Sequence, residues 1–229
     1  MTHLHQIQMK ILRELLFHPK SRFTDLNISG LSSDHFSYHM RELKKLGLVD
    51  KIEDTYILSH DGKEFANRMD TDKNIMEKQP KVSVVICPEL EINGVKHYAV
   101  QTRLKEPYYG YNGFITGKVR FGEKIVEAAA RELLEEMGIT ATFTPMYVLH
   151  EMVYNMSGNM LEDKFFHAVL ATNVKGKLVT EIEGGKNRWV TKKEFEEMAP
   201  KYHNEDDIFA WFDARKYEFI EETYFIESF

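Results

Sequence analysis

GKVRFGEKIVEAAARELLEEMGI, Gly117 to Ile139, carries Glu123, Glu127, Glu132, Glu135 and Glu136 against two lysines and two arginines. Glu132, Glu135 and Glu136 are three and four residues apart, which makes them neighbours on a helix. Like charges at that spacing weaken an isolated helix by about 0.2–0.5 kcal/mol per pair. At ~100° per residue the three acids span an arc of roughly 100°. Val126, Ala129, Ala130, Leu133 and Met137 fill the adjoining arc as the expected inward face. The acids therefore gather on one edge of a buried helix. A hard divalent cation such as Mg²⁺ would offset their repulsion, because it takes oxygen ligands and keeps waters and substrate phosphates in its shell. A solvated acidic face is the other reading of the same residues.

With 229 residues, 43% hydrophobic and 29% charged, the chain has the make-up of a globular protein with room for one large or two small domains. Its one cysteine, Cys87, excludes an internal disulfide framework and points to a reducing, cytoplasmic setting. No apolar run approaches the ~20 residues of a membrane span, so no membrane partner is expected. The first 20 residues lack the continuous apolar segment of a signal peptide. Charge is uneven: the first 75 residues carry 11 basic and 11 acidic side chains, which leaves the formal charge of −6 to the rest. The polar stretch Thr71–Pro80 marks a boundary, giving a first domain over 1–72, a linker over 73–80 and a second domain over 81–229.

In the first domain, Ile7, Ile11, Leu12, Leu15 and Leu16 follow the helical period up to Pro19. A short segment around Phe23–Leu26 precedes Gly30, and a second long helix starts at a serine cap, with Phe36, His39 or Met40, Leu43 and Leu46 facing inward. VDKIEDTYIL reads as two short strands about a polar turn, and HDGKEFANRM returns to helix. This pattern resembles the winged helix-turn-helix domain of bacterial and archaeal regulators. The resemblance implies DNA as a partner, with Ser33, Ser37, Tyr38, Arg41 and Lys44 or Lys45 presented to the major groove. Against this, Asp50, Glu53 and Asp54 in the wing would face phosphate, and a domain of zero net charge lacks the basic footprint of a nucleic-acid binder. Protein contact or dimerisation is the other use of such a domain.

The second domain opens with two strand-like runs, KVSVVIC and HYAVQTR, joined through Asn93-Gly94, a dipeptide suited to a tight hairpin. After the aromatic loop EPYYGYNGFIT comes the quoted helix. Gly117, then Glu123 after five residues, then Arg131-Glu132-Leu133-Leu134-Glu135-Glu136-Met137-Gly138-Ile139 after seven more, resembles the Nudix box at every defined position. The resemblance implies an α/β/α sandwich on a mixed sheet, so that the chain as a whole is α+β. It implies a hydrolase that cleaves a nucleoside diphosphate linked to another moiety, with Mg²⁺ or Mn²⁺ as cofactor. Glu135 and Glu136 would be principal metal ligands, and Glu132 a further ligand or the water-activating base. Arg131 would hold the acidic helix and its loop in place by charge-assisted hydrogen bonds. Gly117 would sit near metal and substrate, and Gly138 would end the helix in a left-handed conformation. Many family members have Pro-Gly-Gly at the entrance of the box, where this chain has Ile115-Thr116-Gly117.

Beyond the box, MYVLHEMVY and KFFHAVLAT read as strands, and NRWVTKKEFEEM as a strand end turning into a helix, with Trp189 in the core. Glu181 and Glu183 are candidates for a further metal-binding or basic acid. Tyr154 lies near the place where dinucleoside polyphosphate hydrolases of the family carry a tyrosine, and is a candidate substrate contact. Tyr108, Tyr109, Tyr111 and Phe114 either wall a base-stacking pocket or pack on the sheet. Ile208, Phe209, Trp211 and Phe212 read as an amphipathic helix docking on the domain, while the final residues could cover a neighbour in a homodimer. Two functions follow. One is an active hydrolase with an accessory winged helix, and the other a transcription regulator whose second domain senses a nucleotide-like ligand.

Overall fold

The computed structural model describes residues 4–203, 205–214 and 216–227. The chain forms two compact units, Met1–Lys78 and Gln79–Phe229. No helix among the described residues is long and apolar enough to cross a membrane.

The first unit runs α1 (Gln6–Phe17), β1 (Ser21–Arg22), α2 (Phe23–Leu26), α3 (Ser33–Lys45), β2 (Val49–Ile52), β3 (Thr55–Leu58), α4 (His60–Ala66), β4 (Met69–Asp70) and β5 (Ile75–Met76). Ile11, Leu12 and Leu15 of α1 pack with Phe36, Met40 and Leu43 of α3 in one core. Leu46 departs from the expected stripe and is 40% exposed, because α3 ends there and the chain turns through Gly47 in the left-handed region. Ser32 is the residue before α3, but its backbone carbonyl, not its hydroxyl, takes the first bond, from the Phe36 amide. The expected two-strand hairpin is three-stranded, since Ser21–Arg22 adds to the outer edge of β3. Ile75–Met76 pairs with Met69–Asp70, so part of the stretch expected to be linker is ordered within this unit.

The second unit runs β6 (Lys81–Ile92), β7 (Val95–Arg103), β8 (Asn112–Gly113), β9 (Ile115–Lys118), α5 (Ile125–Met137), β10 (Thr140–Asn155), β11 (Met160–Lys175), β12 (Glu181–Ile182), β13 (Gly185–Val190), α6 (Lys192–Glu196), α7 (Glu205–Asp213) and β14 (Phe219–Ile226). Nine of its strands form one mixed sheet, in the order β12-β13-β7-β6-β11-β10-β14, with β8 beside β7 and β9 beside β6. β6 joins the two halves: its first part pairs with β11 and β9, and its last four residues turn back on β7 through Asn93-Gly94, both at positive φ as a tight hairpin requires. Strand alternation assigns the two faces. Val84 and Ile86 lie under α5 with Ala129, Leu133 and Met137. Val85 and Cys87 lie on the other side, under α6 and α7 with Phe195, Phe209 and Phe212. The result is a helix, a sheet and a helix layer, an α+β fold on a large mixed sheet.

Two expectations about helices and strands shift. Ala128, and not Val126 or Ala130, completes the buried stripe of α5: Val126 is 41% exposed and Ala130 is only partly buried. The acid-and-aromatic tail is a strand, β14, running parallel to β10 from Val148–Phe219 to Asn155–Ile226. Ser228 and Phe229, the last of the residues read as able to cover a neighbour in a homodimer, lie outside the described residues.

β14 is tied on by His150, whose Nδ1 lies 2.9 Å from Glu221 and Nε2 2.9 Å from Asp163 while its ring stacks on Phe165. Burial lowers the pKa of the imidazole, but the two carboxylates outweigh that and the net shift is upward. A raised folded-state pKa stabilises the fold fully below the unfolded value of about 6.5, and that contribution is lost as pH rises through the folded value. Hydrogen exchange of Phe219–Ile226 should therefore accelerate above neutral pH by more than the intrinsic chemical rate, and His150→Gln should abolish the excess. An excess that survives in His150→Gln would assign it to another group.

Candidate active site

Gly138, at φ 69°, ends α5 in the left-handed conformation expected of it. The helix lies with Ala128, Ala129, Leu133 and Met137 in the core, which leaves Glu132 and Glu136 on the margin of the buried stripe and Glu135 half-exposed. Arg131 braces the arrangement. Its Nε and Nη2 bond both oxygens of Glu123 at 2.7 and 2.8 Å, its Nη1 reaches Glu132 at 2.6 Å and Glu135 at 3.2 Å, and its Nη2 also donates to the Lys118 carbonyl at 3.0 Å. The bidentate bond holds Glu123 down to about 2 and raises Arg131 above its ordinary range. One guanidinium thus fixes the loop before α5, the strand β9 and two of the three acids.

Gly117 explains why the motif requires a glycine here. A Cβ on Gly117 would fall 2.0 Å from both Cγ and Cδ of Glu132 and 2.4 Å from its Oε1. The Glu132 side chain lies flat on the Gly117 backbone, so the strand and the helix approach only where no side chain intervenes. Thr116, which replaces the frequent glycine before it, lines the same cleft.

Glu136 is held from a third side. Its Oε2 accepts from Gln101 Nε2 at 3.0 Å and its Oε1 lies 3.9 Å from Lys105 Nζ. Gln101 in turn donates to Asn187 Oδ1 at 3.0 Å, and Asn187 donates to the carbonyls of Glu136 and Val179 at 2.7 and 2.8 Å. Asn187 is 4% exposed and all its polar atoms are bonded, which avoids the about 1–3 kcal/mol cost of an unsatisfied buried amide.

These acids form one wall of a cleft of about 640 Å³. It is also lined by the cations Arg103, Lys105, Lys118 and Arg120, by the aromatic rings of Tyr108, Phe114 and Phe166, and by Glu151 and Glu162 with Lys81 and Lys164 beside them. Arg103 organises the loop that follows it by donating to the carbonyls of Lys105 and Pro107 at 2.8 and 2.7 Å. Tyr108, at φ 70° and packed edge-on against Tyr111 and Tyr202, has its phenol pKa raised by burial and by the charges of Glu162 and Glu151.

The donor set along α5 is all carboxylate oxygen, the chemistry a hard divalent cation requires. In the structure the three acids are balanced by Arg131, Arg120, Lys105 and the Gln101 amide, and no group of three or more His, Cys, Asp or Glu side chains among the described residues has metal-site geometry. Glu135 is exposed enough to rotate, Arg131 engages Glu132 through Oε1, and Glu136 keeps its Oε2 bond to Gln101 while the ion has only to take the place of Lys105, 3.9 Å from Oε1. The residues present fit Mg²⁺ or Mn²⁺ on that basis.

The remaining sequence candidates distribute unevenly. Tyr154 is not in the cleft: Leu149 and Glu151 face it, so the two-residue alternation of β10 turns Tyr154 to the opposite side, where it stacks on Phe225. Tyr109 is exposed and Tyr111 packs on its neighbours, which leaves Tyr108 and Phe114 as the cleft residues of the aromatic loop. Neither Glu181 nor Glu183 lines the cleft, and Glu181 pairs with Lys186 at 3.7 Å. The buried acids there are Glu151 and Glu162, which sequence reading passed over. For Glu151 the signal was a glutamate at an inward position between apolar neighbours two residues away, Leu149 and Val153, whereas Glu162, between Met160 and Lys164, carried none. In the first unit, Ser37, Arg41 and Lys44 of α3 share a shallow surface groove with Phe23 and Tyr56, and Tyr38 is 55% exposed beside it.

The fold is similar to that of the NUDIX domain of Shewanella oneidensis NrtR in complex with ADP ribose. The identity is 12%, with 66% of this chain and 96% of that one covered and a TM-score of 0.53. Other solved neighbours include the MutT protein from Bacillus halodurans (19% identity, 62% and 90% covered, TM-score 0.49). A MutT NUDIX hydrolase from Burkholderia pseudomallei is similar too (22% identity, 58% and 98% covered, TM-score 0.47). No curated protein matches the chain. Residues 77–212, more than half of its length, match the model of the NUDIX domain, and the chain therefore belongs to that family.

Proposed function

We propose that the protein is a divalent-cation-dependent hydrolase of a nucleoside diphosphate linked to a second moiety, and that the reaction takes place on the acidic wall of the cleft. The observation that carries this reading is the packing of Glu132 on the bare backbone of Gly117 under the Arg131 brace. It fixes two of the three carboxylates in a cleft that Arg103, Lys105, Lys118 and Arg120 also line. Glu135 and Glu136 would hold Mg²⁺ or Mn²⁺, with Glu132 as a further ligand or as the base. Bound there, the cation would supply charge neutralisation for the diphosphate and a lowered pKa for water.

The chain's own residues do the rest. Arg103, Lys105, Lys118 and Arg120 bind the phosphates electrostatically, and Tyr108, Phe114 and Phe166 receive the apolar face of the base. Arg131 fixes Glu132 through Oε1, which leaves Oε2 to take a proton from the attacking water. The water oxygen bonds to one phosphorus, and the bridging oxygen leaves with the other.

The test is a panel of nucleoside diphosphate derivatives with Mg²⁺, ADP-ribose among them because the NrtR neighbour holds it, scored by product release. Turnover of at least one member, absent in the Glu135→Gln/Glu136→Gln double variant, is the expected result. Equal turnover in both proteins would overturn the assignment.

The first unit supports a second reading, as a winged helix domain that binds DNA through Ser37, Tyr38, Arg41 and Lys44 of α3. The observation in its favour is that Arg41 and Lys44 are both exposed, on a groove with Tyr56, while the apolar side of α3 is buried. On that reading the second unit would sense a nucleotide-like ligand for a transcription regulator. Binding to the protein's own upstream DNA that weakens steeply with salt and with Arg41→Ala supports it. Absence of binding at low salt assigns the unit to protein contact.

A further inference from the structure

Glu136 is the only one of the three α5 acids whose carboxylate is bonded by a neutral side chain, and that side chain is held by a further device. Gln101 on β7 stands directly across from Asn187 on β13, two residues from Gly185, so all three share the sheet face that carries α5. Asn187 cannot turn its amide round. Its Nδ2 is committed to two backbone carbonyls, Glu136 at 2.7 Å and Val179 at 2.8 Å, so its Oδ1 points at Gln101. Gln101 must therefore present its NH₂ group, which donates at 3.0 Å to Asn187 and at 3.0 Å to Glu136 Oε2. Gly185 closes the arrangement. A Cβ there would lie 2.3 Å from Gln101 Cδ, 2.5 Å from Cγ and 2.6 Å from Nε2, so the room the Gln101 side chain occupies exists only because position 185 has none.

We propose that Gln101, locked by Asn187 and given space by Gly185, is a positioning residue that sets the rotamer of Glu136 and thereby the divalent-cation affinity of the acidic wall. The proposal rests on the reading above that Glu136 is a cation ligand. With Oε2 tied to Gln101, Oε1 is the oxygen turned toward Lys105 and the cleft. An outer residue that orients a ligand in this way typically changes metal affinity by about 10–100-fold when it is removed. A glutamine suits the task and a glutamate does not, because a carboxylate at 101 would oppose both Asn187 Oδ1 and Glu136.

The test is Mn²⁺ titration of the full chain, with bound Mn²⁺ read by electron paramagnetic resonance, for wild type, Gln101→Leu, Glu136→Gln and the double variant. Gln101→Leu is expected to weaken Mn²⁺ binding by about 10–100-fold. The same change in the Glu136→Gln background is expected to have no further effect, since the residue acts through Glu136. A general loosening of the fold would instead weaken both backgrounds alike, and that result would overturn the proposal. If Gln101→Leu does not fold, Gly185→Ala tests the same point, because it displaces the glutamine without removing it. Unchanged Mn²⁺ affinity in Gln101→Leu or Gly185→Ala, where Glu136→Gln weakens it, would overturn the positioning role alone. Unchanged affinity in Glu136→Gln would overturn the ligand assignment and the proposal with it.

Discussion

Glu136→Gln and Glu135→Gln are each expected to lower turnover with Mg²⁺ by at least about 100-fold, the scale on which a positioned acid, base or ligand contributes to a hydrolysis. The fold should persist in both. Glutamine keeps the shape of glutamate, Gln101 can still donate to an oxygen at 136, and the buried stripe of α5 is untouched. Removing one carboxylate also relieves repulsion between neighbours three and four residues apart, by about 0.2–0.5 kcal/mol per pair. The metal-free melting temperature should therefore stay level or rise while activity falls. Opposite signs for stability and turnover mark an edge selected for binding a cation. Normal turnover in both variants would remove the acidic wall from the chemistry.

Gly117→Ala should be nearly as damaging, although alanine is the smallest change available. Its Cβ would overlap Cγ and Cδ of Glu132 at 2.0 Å, and α5 cannot retreat because Ala129 and Leu133 are fully buried beneath it. Glu132 must swing away and give up its 2.6 Å bond to Arg131. Turnover should drop by about 100-fold with Glu132 displaced, and overpacking should cost about 1–3 kcal/mol of stability. A Gly117→Ala protein with wild-type turnover, measured beside Glu132→Gln, would show that the placement of Glu132 is dispensable.

The acidic wall was legible in the sequence because it is local. Glu132, Glu135 and Glu136 lie within one turn and a half of α5, and helical spacing alone makes them neighbours. Gly138 was legible for the same reason, as a left-handed stop just past the last periodic residue. The Gln101–Asn187–Glu136 relay was not, since its members lie 86 and 35 residues apart from Gln101 and are brought together only by the pairing of β7 with β13. Long-range strand pairing leaves no periodic trace.

β14 illustrates a different gap. FIEETYFI alternates between two faces, yet both faces carry aromatics and acids, so alternation did not separate inside from outside. Tyr154, a candidate substrate contact in the sequence, lies outside the cleft for a reason of register. A tyrosine on a strand points into the cleft or away from it according to whether its number matches that of Glu151, and Tyr154 does not. In the first unit the order of helices and strands could be read from periodicity, whereas the addition of Ser21–Arg22 to β3 joins two short segments more than 30 residues apart and could not.

The most direct check combines binding and chemistry in the same samples. Mn²⁺ is titrated into metal-stripped protein, bound ion is counted by electron paramagnetic resonance, and hydrolysis of the best substrate of the panel is followed at each point. The rate should rise in proportion to bound Mn²⁺, and both should vanish together in the Glu135→Gln/Glu136→Gln double variant. Full turnover in the presence of excess chelator, or undiminished Mn²⁺ binding in the double variant, would contradict a cation-dependent hydrolase built on α5.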